Sequence, residues 1–196
     1  MIIWIASYPK SGNTYLRSFI ASYFFSKDGS FHFDDLLNVQ QFPNIKFSKF
    51  KSETKDEASK SWIFNQNHFF DKSKITFLKT HSCLIDYNGN KFTTKSQTLG
   101  GIYIVRDPRN IISSLTHHYS LKYDEALKYM IDEQSGLMDK SHQNDHSNFT
   151  YLNSWSNHYK SWINNKEFKI LLIKYEDLER NKINIFSKII HFVNEL

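Results

Sequence analysis

The sequence predicts an α/β fold, namely a three-layer α/β/α domain around a central parallel sheet. Four short apolar runs, at 2–6, 75–78, 102–105 and 170–173, have the length and composition of buried strands. Stretches whose apolar residues follow helical spacing separate these runs, and this alternation is typical of parallel sheets. No repeat, linker or low-complexity segment interrupts the pattern, so we expect a single domain over residues 1–196.

The first element is a strand, a polar loop and a helix. Turn formers occupy residues 7–13, and helical spacing of apolar residues begins after Thr14. A loop of this kind at a helix N-terminus directs backbone N–H groups and the positive end of the helix dipole at an anion. Lys10 adds a full charge, while Ser11 and Thr14 add hydroxyl donors. The pattern therefore predicts a P-loop-like phosphate-binding loop.

The position of the lysine separates this loop from the nucleotide-triphosphate P-loop, G-x-x-x-x-G-K-[ST]. When the two are aligned on Gly12 and Thr14, Asn13 stands where that motif has its lysine, and the lysine here is Lys10. This displacement disfavours an ATP γ-phosphate clamp, as does the lack of an obvious Mg²⁺ aspartate after a strand. A P-loop kinase and an unrelated strand–turn–helix remain as alternatives.

The second strand leads to a lysine and a histidine. Residues 31–56 precede it and predict loops and short helices, which either line an acceptor pocket or form a surface excursion; residues 57–70 predict a helix. The strand at 75–78 delivers Lys79 and His81 at its C-terminal end, where open α/β sheets bind ligands. A histidine at such a position is by itself more often structural than catalytic.

The third strand begins a second strand–loop–helix unit. Arg106 follows the strand, and Asp107 suits the N-cap of a helix that continues toward Tyr119. An arginine fork matches phosphate oxygens and keeps its charge. This unit also presents Ser113 and Ser114. The alternative for Arg106 is a salt bridge with Asp107 or with a carboxylate at a helix end.

The second half of the chain predicts core helices and one polar segment. Residues 123–130 predict a helix with Ala126, Leu127 and Met130 inward. Residues 132–150 predict a mobile polar loop, which we regard as a candidate lid over the acceptor. His142 and His146 lie four apart in it, but with no third ligand nearby we expect no metal site.

An aromatic stripe and a final strand–helix pair follow. The stripe steps at helical intervals and indicates core packing; its members are Tyr151, Trp155, Tyr159, Trp162 and Ile163. The strand at 170–173 ends at Tyr175, in the sequence Tyr-Glu-Asp-Leu. The last helix is expected to turn one apolar face inward, with Ile183, Phe186, Ile189, Ile190 and Val193.

The composition limits the class of partner. A net charge of +5 suits an anionic ligand, but the basic residues are scattered, so we expect no nucleic-acid partner. Cys83 is the lone cysteine, which favours a reducing, cytoplasmic location. No apolar run approaches the ~20 residues that span a bilayer, so no membrane span is expected. The oligomeric state cannot be predicted.

Four motifs together resemble the PAPS-dependent sulfotransferases. The loop Y-P-K-S-G-N-T-Y at 8–15 is similar to their Y-P-K-S-G-T-T-W, and K-T-H at 79–81 is similar to their K-[TS]-H. The eight-residue step from Arg106 to Ser114 and the Y-E-D-L beginning at Tyr175 also match. The resemblance implies transfer of the sulfuryl group of 3′-phosphoadenosine 5′-phosphosulfate (PAPS) to a hydroxyl or amine of a small molecule or glycan.

The resemblance also implies roles for individual residues. Lys10 stabilises the bridging oxygen, Lys79 neutralises the sulfuryl oxygens, and His81 is the general base. Ser113 restrains Lys10 until an acceptor arrives. The donor-binding residues fall into three groups: for the 5′-phosphate Lys10, Ser11, Gly12, Asn13 and Thr14; for the 3′-phosphate Arg106 and Ser114; near the adenine Tyr15 and Tyr175. No metal is required, because two lysines do the work that Mg²⁺ does in kinases.

The chain departs from the family pattern at three places. Asn13 replaces a threonine, Tyr15 replaces an adenine-stacking tryptophan, and nothing after Tyr175 resembles the family's R-K-G element for the 3′-phosphate. We therefore expect PAPS to bind less tightly than in the longer family members. A non-catalytic or degenerate nucleotide-binding protein remains an alternative, and the acceptor is not identified.

Overall fold

The computed structural model describes residues 1–138 and 144–196. Seven strands are present in this part of the chain: β1 Ile2–Ser7, β2 Gln40–Gln41, β3 Thr76–Thr80, β4 Thr98–Val105, β5 Gly136–Leu137, β6 Thr150–Tyr151 and β7 Lys169–Lys174. Five of them form one parallel sheet in the order β2-β3-β1-β4-β7. The antiparallel pair β5–β6 lies apart from it.

Helices cover both faces of the sheet. They are α1 Asn13–Phe25, α2 Lys55–Phe69, α3 Pro108–Tyr119, α4 Tyr123–Ile131, α5 Trp155–Ile163, α6 Tyr175–Arg180 and α7 Lys182–Asn194. Two short 3₁₀ turns, Phe33–Asn38 and Ile45–Phe47, precede α2. β1 sends Trp4 into a core shared with α2 and α5, while its neighbours Ile3 and Ile5 enter a core shared with α1 and α7. Alternate side chains of a strand face opposite ways, so the sheet is buried on both faces. The predicted three-layer α/β fold is confirmed.

The topology brings three strand ends together. β1 lies between β3 and β4, and all three run in the same direction, with Ala6 opposite Thr80 and Ser7 opposite Ile104. The residues that follow these strands therefore emerge side by side at one edge of the sheet. The loop after Ser7, His81 and Arg106 all occupy this edge.

Two strands differ from their prediction. β4 begins four residues earlier than expected. The apolar run did not indicate this start, because Gly100 and Gly101 have no side chains. In the structure both lie where neighbouring side chains pack close. β7 is half exposed rather than buried, since it pairs only with β4 among the described strands, and Leu172 is 39% exposed.

Several side chains predicted to face inward do not. Ile183 on α7 is 80% exposed, and Leu127 on α4 is exposed beside the buried Ala126 and Met130. Tyr151 is buried but lies in β6, before α5 begins, so the aromatic stripe is not continuous on one helix. Instead, α5 buries His158 and Trp162.

The segment 132–150 is only partly the open loop that was expected. Phe149 and Thr150 are buried, and the backbone N–H of His146 donates to the carbonyl of Ser52 at 2.8 Å. Residues 139–143, including His142, lie outside the described residues, so the histidine pair and the lid remain predictions. In the described ranges, no helix is long and apolar enough to cross a bilayer.

Candidate active site

A cavity of about 510 Å³ opens beyond the C-terminal ends of β1, β3 and β4. Its lining residues are Pro9, Lys10, Gly12, Asn13, Thr14, Gln41, Lys79, His81, Arg106, Ser114, His118, Tyr119 and Leu137. Three of them, Lys10, Lys79 and Arg106, carry positive charge, and no aspartate or glutamate occurs among the described lining residues. This imbalance of charge favours an anionic ligand.

The loop after β1 is a tight turn that begins helix α1. Lys10 and Gly12 both have positive φ, 65° and 93° respectively, in the left-handed region. The side chain of Asn13 donates to the carbonyl of Ile5 at 3.0 Å and to the hydroxyl of Ser7 at 3.2 Å, which ties the helix start to the strand. Ser11 is buried, and its hydroxyl has no hydrogen-bond partner within the described residues. A bound anion would give it one.

Gly12, Tyr175 and Arg106 form a stack behind this loop. The guanidinium carbon of Arg106 lies 4.5 Å from the centre of the Tyr175 ring, and its Nη1 donates to the carbonyl of Lys10 at 3.1 Å. A Cβ on Gly12 would lie 2.3 Å from Cδ2 of Tyr175, so only glycine fits against the ring. The Nε of Arg106 has no hydrogen-bond partner in the parts of the chain described.

The alternative of an Arg106 salt bridge with Asp107 is not observed. Asp107 pairs instead with Arg109, at 2.5 Å, and caps α3 by accepting from the Arg109 N–H, at 2.9 Å. The predicted N-cap is thus confirmed. The guanidinium of Arg106 remains available to the cavity.

Lys79 is held at the opposite side of the cavity. Its Nζ donates to Oε1 of Gln41 at 3.1 Å, across the pair β2–β3. Burial, and after it the nearby charge of Arg17, lowers the pKa of Lys79 to about 8. Lys79 therefore begins to lose its proton at slightly alkaline pH.

His81 is in its neutral form with a defined tautomer. Its Nδ1 lies 2.7 Å from the carbonyl oxygen of Ser7, which can only accept, so Nδ1 carries the hydrogen. The unprotonated Nε2 is then the atom that can take a proton. Burial, followed by the charge of Lys79, lowers the pKa of His81 to about 3, although the bond to Ser7 opposes the shift. This geometry suits a general base.

The structure gathers most, but not all, of the predicted site residues. Eight line the cavity: Lys10, Gly12, Asn13, Thr14, Lys79, His81, Arg106 and Ser114. Tyr175 lies behind the loop. Ser113 is exposed and donates to the carbonyl of Arg109 at 3.4 Å, and the Tyr15 ring packs edge-on against Phe19. Neither of these two is a lining residue, so their predicted roles remain predictions.

Five lining residues were not identified from the sequence: Pro9, Gln41, His118, Tyr119 and Leu137. Gln41 lies on a two-residue strand that has no periodicity to reveal it. His118 and Tyr119 end α3, where the sequence marks a helix end but not what faces it. Within residues 1–138 and 144–196, no group of three or more metal-ligating side chains occurs.

Comparison with known proteins gives one family. The model of the sulfotransferase domain matches residues 2–195. The luciferin sulfotransferase of Photinus pyralis is 22% identical over 206 residues, which cover 98% of this chain and 51% of that protein. The crystal structure of retinol dehydratase in complex with retinol and PAP has a TM-score of 0.56 at 17% identity, covering 97% of this chain and 59% of that one.

The chain thus spans about half of one relative's length and three-fifths of the other's. The likeness to retinol dehydratase supports the fold. The family model covers nearly every residue, from β1 through α7, and so includes all the motifs that carried the resemblance. The chain belongs to the sulfotransferase domain family.

Proposed function

We propose that this protein transfers the sulfuryl group of PAPS to a hydroxyl or amine of a small-molecule acceptor. One observation carries the proposal: Lys10, Lys79 and Arg106 line one cavity together with a neutral His81 whose Nε2 can accept a proton. Luciferin sulfotransferase is named for a small molecule, and retinol dehydratase binds retinol and PAP, which supports a nucleotide donor and a compact acceptor.

The residues present fit the two phosphates of such a donor. The loop from Lys10 to Thr14 offers backbone N–H groups at the start of α1, and the buried Ser11 hydroxyl lacks a partner in the described ranges. Arg106 offers an Nε that is likewise unbonded there, with its plane fixed by Tyr175. We assign the first group to the 5′-phosphate, and Arg106 with Ser114 to the 3′-phosphate.

His81 begins the proposed reaction. Its Nε2 takes the proton of the acceptor hydroxyl while the acceptor oxygen forms a bond to sulfur. The bond between sulfur and the bridging oxygen breaks, and its electron pair stays on the 5′-phosphate. The products are the sulfated acceptor and 3′,5′-ADP. Because Nδ1 of His81 is engaged by Ser7, the proton can only be received at Nε2.

The two lysines supply electrostatic stabilisation. Sulfuryl transfer resembles phosphoryl transfer, in which a loose transition state leaves charge on the departing oxygen. Lys10 stabilises that charge, and Lys79, held by Gln41, neutralises the sulfuryl oxygens. A glycan acceptor, a cytoplasmic location and a single-domain organisation remain predictions from the sequence.

Transfer of radiolabelled sulfate from PAPS to a panel of phenols, sugars and amines tests the proposal. We expect a labelled product, and we expect His81→Ala to lower turnover by about 10²–10⁴-fold. Lys10→Ala should lower it by about 10²–10³-fold. Arg109→Ala is the control, since Arg109 is exposed and paired with Asp107.

Other outcomes separate the alternatives. Tight binding of 3′,5′-ADP without transfer to any acceptor would favour the non-catalytic nucleotide-binding protein. Phosphate transfer from ATP would favour the kinase. Near-full turnover by His81→Ala would reject the assignment of the base.

A further inference from the structure

Helix α5 is fastened to the chain that carries His81. Three of its side chains, on one face of the helix, bond to the main chain of residues 81–84. The bonds join Nε2 of His158 to the His81 carbonyl at 2.9 Å, Nε1 of Trp162 to the Ser82 carbonyl at 3.0 Å, and the Leu84 N–H to the Ser161 hydroxyl at 3.0 Å. Residues 81, 82 and 84 of the segment after β3 are therefore all held by one helix.

His158 has no exposed surface and a defined tautomer. The His81 carbonyl can only accept, so Nε2 of His158 carries the hydrogen. Its Nδ1 must then accept from the hydroxyl of Tyr103, which lies 2.8 Å away and is also fully buried. Burial lowers the pKa of His158 to about 4, consistent with a neutral ring.

These contacts reach the start of the phosphate loop. Nδ1 of His81 donates to the carbonyl of Ser7, the last residue of β1, and the His158 ring packs edge-on against the Tyr8 ring with 5.4 Å between ring centres. Hydrogen bonds thus run from Tyr103 through His158 to His81, and from His81 to Ser7. They join the end of β1, where the phosphate loop starts, to the candidate base.

We propose that His158 is a positioning residue for the general base, holding the His81 backbone so that Nδ1 stays on Ser7 and Nε2 is presented to the acceptor. This inference rests on the proposed function. His158 does not line the cavity, so it acts through His81. Nδ1 of His81 lies against Ser7, with the carbonyl oxygen at 2.7 Å and the hydroxyl at 3.3 Å. The main-chain carbonyl of His81 accepts from His158.

The expected effect follows from the free-energy cost of a buried polar group that has lost its hydrogen-bond partner. Removing the His158 donor leaves the His81 carbonyl without its partner, and the chain at residues 81–84 relaxes to find another. Proton transfer requires the base within hydrogen-bond reach of the acceptor, so a small displacement of the imidazole lowers turnover. We assign donor binding to the loop after β1 and to Arg106. The hydrogen bonds of the His158 ring go instead to Tyr103 and His81.

The first test measures turnover. His158→Phe removes both nitrogens and should lower kcat about tenfold while leaving the KM for PAPS unchanged. His158→Gln can still donate an N–H and should retain more turnover than His158→Phe. Ser161→Ala is the matched control, because it removes a bond from the same helix face to Leu84 rather than to His81. An equal loss in Ser161→Ala would overturn the proposal by making the effect one of helix docking in general.

The second test reads His81 directly by nitrogen NMR of labelled histidine, with no sulfuryl transfer needed. We expect the Nδ1–H tautomer of His81 in the parent protein and in Ser161→Ala, and a mixture of tautomers in His158→Phe. Suppose that the parent protein shows the Nδ1–H tautomer, and His158→Phe its loss, while no acceptor is sulfated. In that case the proposed function fails and the positioning role stands.

A folded His158→Phe with an unchanged His81 tautomer and turnover within about twofold would overturn the inference. Should His158→Phe not fold, Tyr103→Phe decides instead. It removes the donor to Nδ1 of His158, so His158 can move its hydrogen away from the His81 carbonyl. We expect the same shift of His81 tautomers, to a smaller extent, and an unchanged spectrum would count against the proposal.

Discussion

The two sides of the cavity differ in whether key polar groups are already hydrogen-bonded within the protein. On the donor side, the Ser11 hydroxyl and the Arg106 Nε have no hydrogen-bond partner within the described residues. On the base side, Nδ1 and the carbonyl of His81 and the ammonium of Lys79 are all bonded within the protein.

The difference indicates what each side does before a ligand arrives. A buried polar group without a partner is costly, and an anion bound in the cavity would supply the missing bond at Ser11 and Arg106. Groups that must act with a defined geometry are instead fixed in advance by bonds of their own. Changes at the unpartnered donor-side groups should therefore alter affinity, and changes at the base-side groups should alter turnover.

The largest expected effect on this comparison comes from Arg106→Ala. Loss of a charged hydrogen bond should weaken 3′,5′-ADP by about 10–100-fold, since such bonds contribute about 1.5–3 kcal/mol. Binding of 5′-AMP, which lacks the 3′-phosphate, should change little. Calorimetry with both nucleotides measures the difference, and Arg109→Ala is the control because its partner is Asp107. Equal losses for the two nucleotides would remove Arg106 from the 3′-phosphate.

A smaller effect is expected from Gly12→Ala. The left-handed backbone at φ 93° costs an alanine about 1–2 kcal/mol, and the new methyl group meets the Tyr175 ring. We expect about tenfold weaker binding of 3′,5′-ADP. Gly29→Ala is a matched control, since Gly29 has a similar φ of 76° with no atom within 4 Å of the added Cβ. If both variants bind the nucleotide as the parent does, the stack behind the loop does not shape the donor site.

The smallest effect is a pH dependence on the base side. The pKa of Lys79 is lowered to about 8, so its charge is lost as the pH rises through that value. The kcat/KM for PAPS should fall about threefold between about pH 7.5 and about pH 8.5. His81, with its pKa lowered to about 3, should add no decline between about pH 5 and about pH 7.

Lys79→Arg provides the check on this assignment, because a guanidinium stays charged over the whole range. The decline above about pH 8 should then disappear. A decline that persists in Lys79→Arg would place the titrating group elsewhere, and a decline centred near pH 6.5 in the parent would mean that His81 titrates normally.

The sequence was most informative where the site is built from local chain. The loop from Lys10 to Thr14 and the turn at Arg106 each follow a strand and begin a helix, so a short window contains the whole signal. The parallel sheet then brought them together, as the alternation of elements predicted. Lys79 and His81 were found from their place at the end of a strand together with the K-T-H resemblance, since a histidine at such a position is by itself more often structural.

What the sequence did not reveal depends on contacts between distant segments. Gln41 reaches Lys79 only because β2 pairs with β3, and His158 reaches His81 only because α5 packs over the segment after that strand. His158 lies between members of the aromatic stripe that was interpreted as core packing. Nothing in the sequence indicated that this histidine is buried. Ile183 was wrongly predicted to be buried. Helical spacing indicates the apolar face of a helix, but not how far along that face the packing against other elements extends.

The stack of Tyr175 against Gly12 also has a consequence for synthesis of the chain. The phosphate loop is synthesised well before the Tyr175 ring that packs against it, because β3, β4, α5 and β7 all lie between them in the chain. β1 likewise lies between two strands that are translated much later. A nascent chain therefore carries its phosphate loop without the Tyr175 ring until α6 has been made, and the loop can reach its final geometry only after that point.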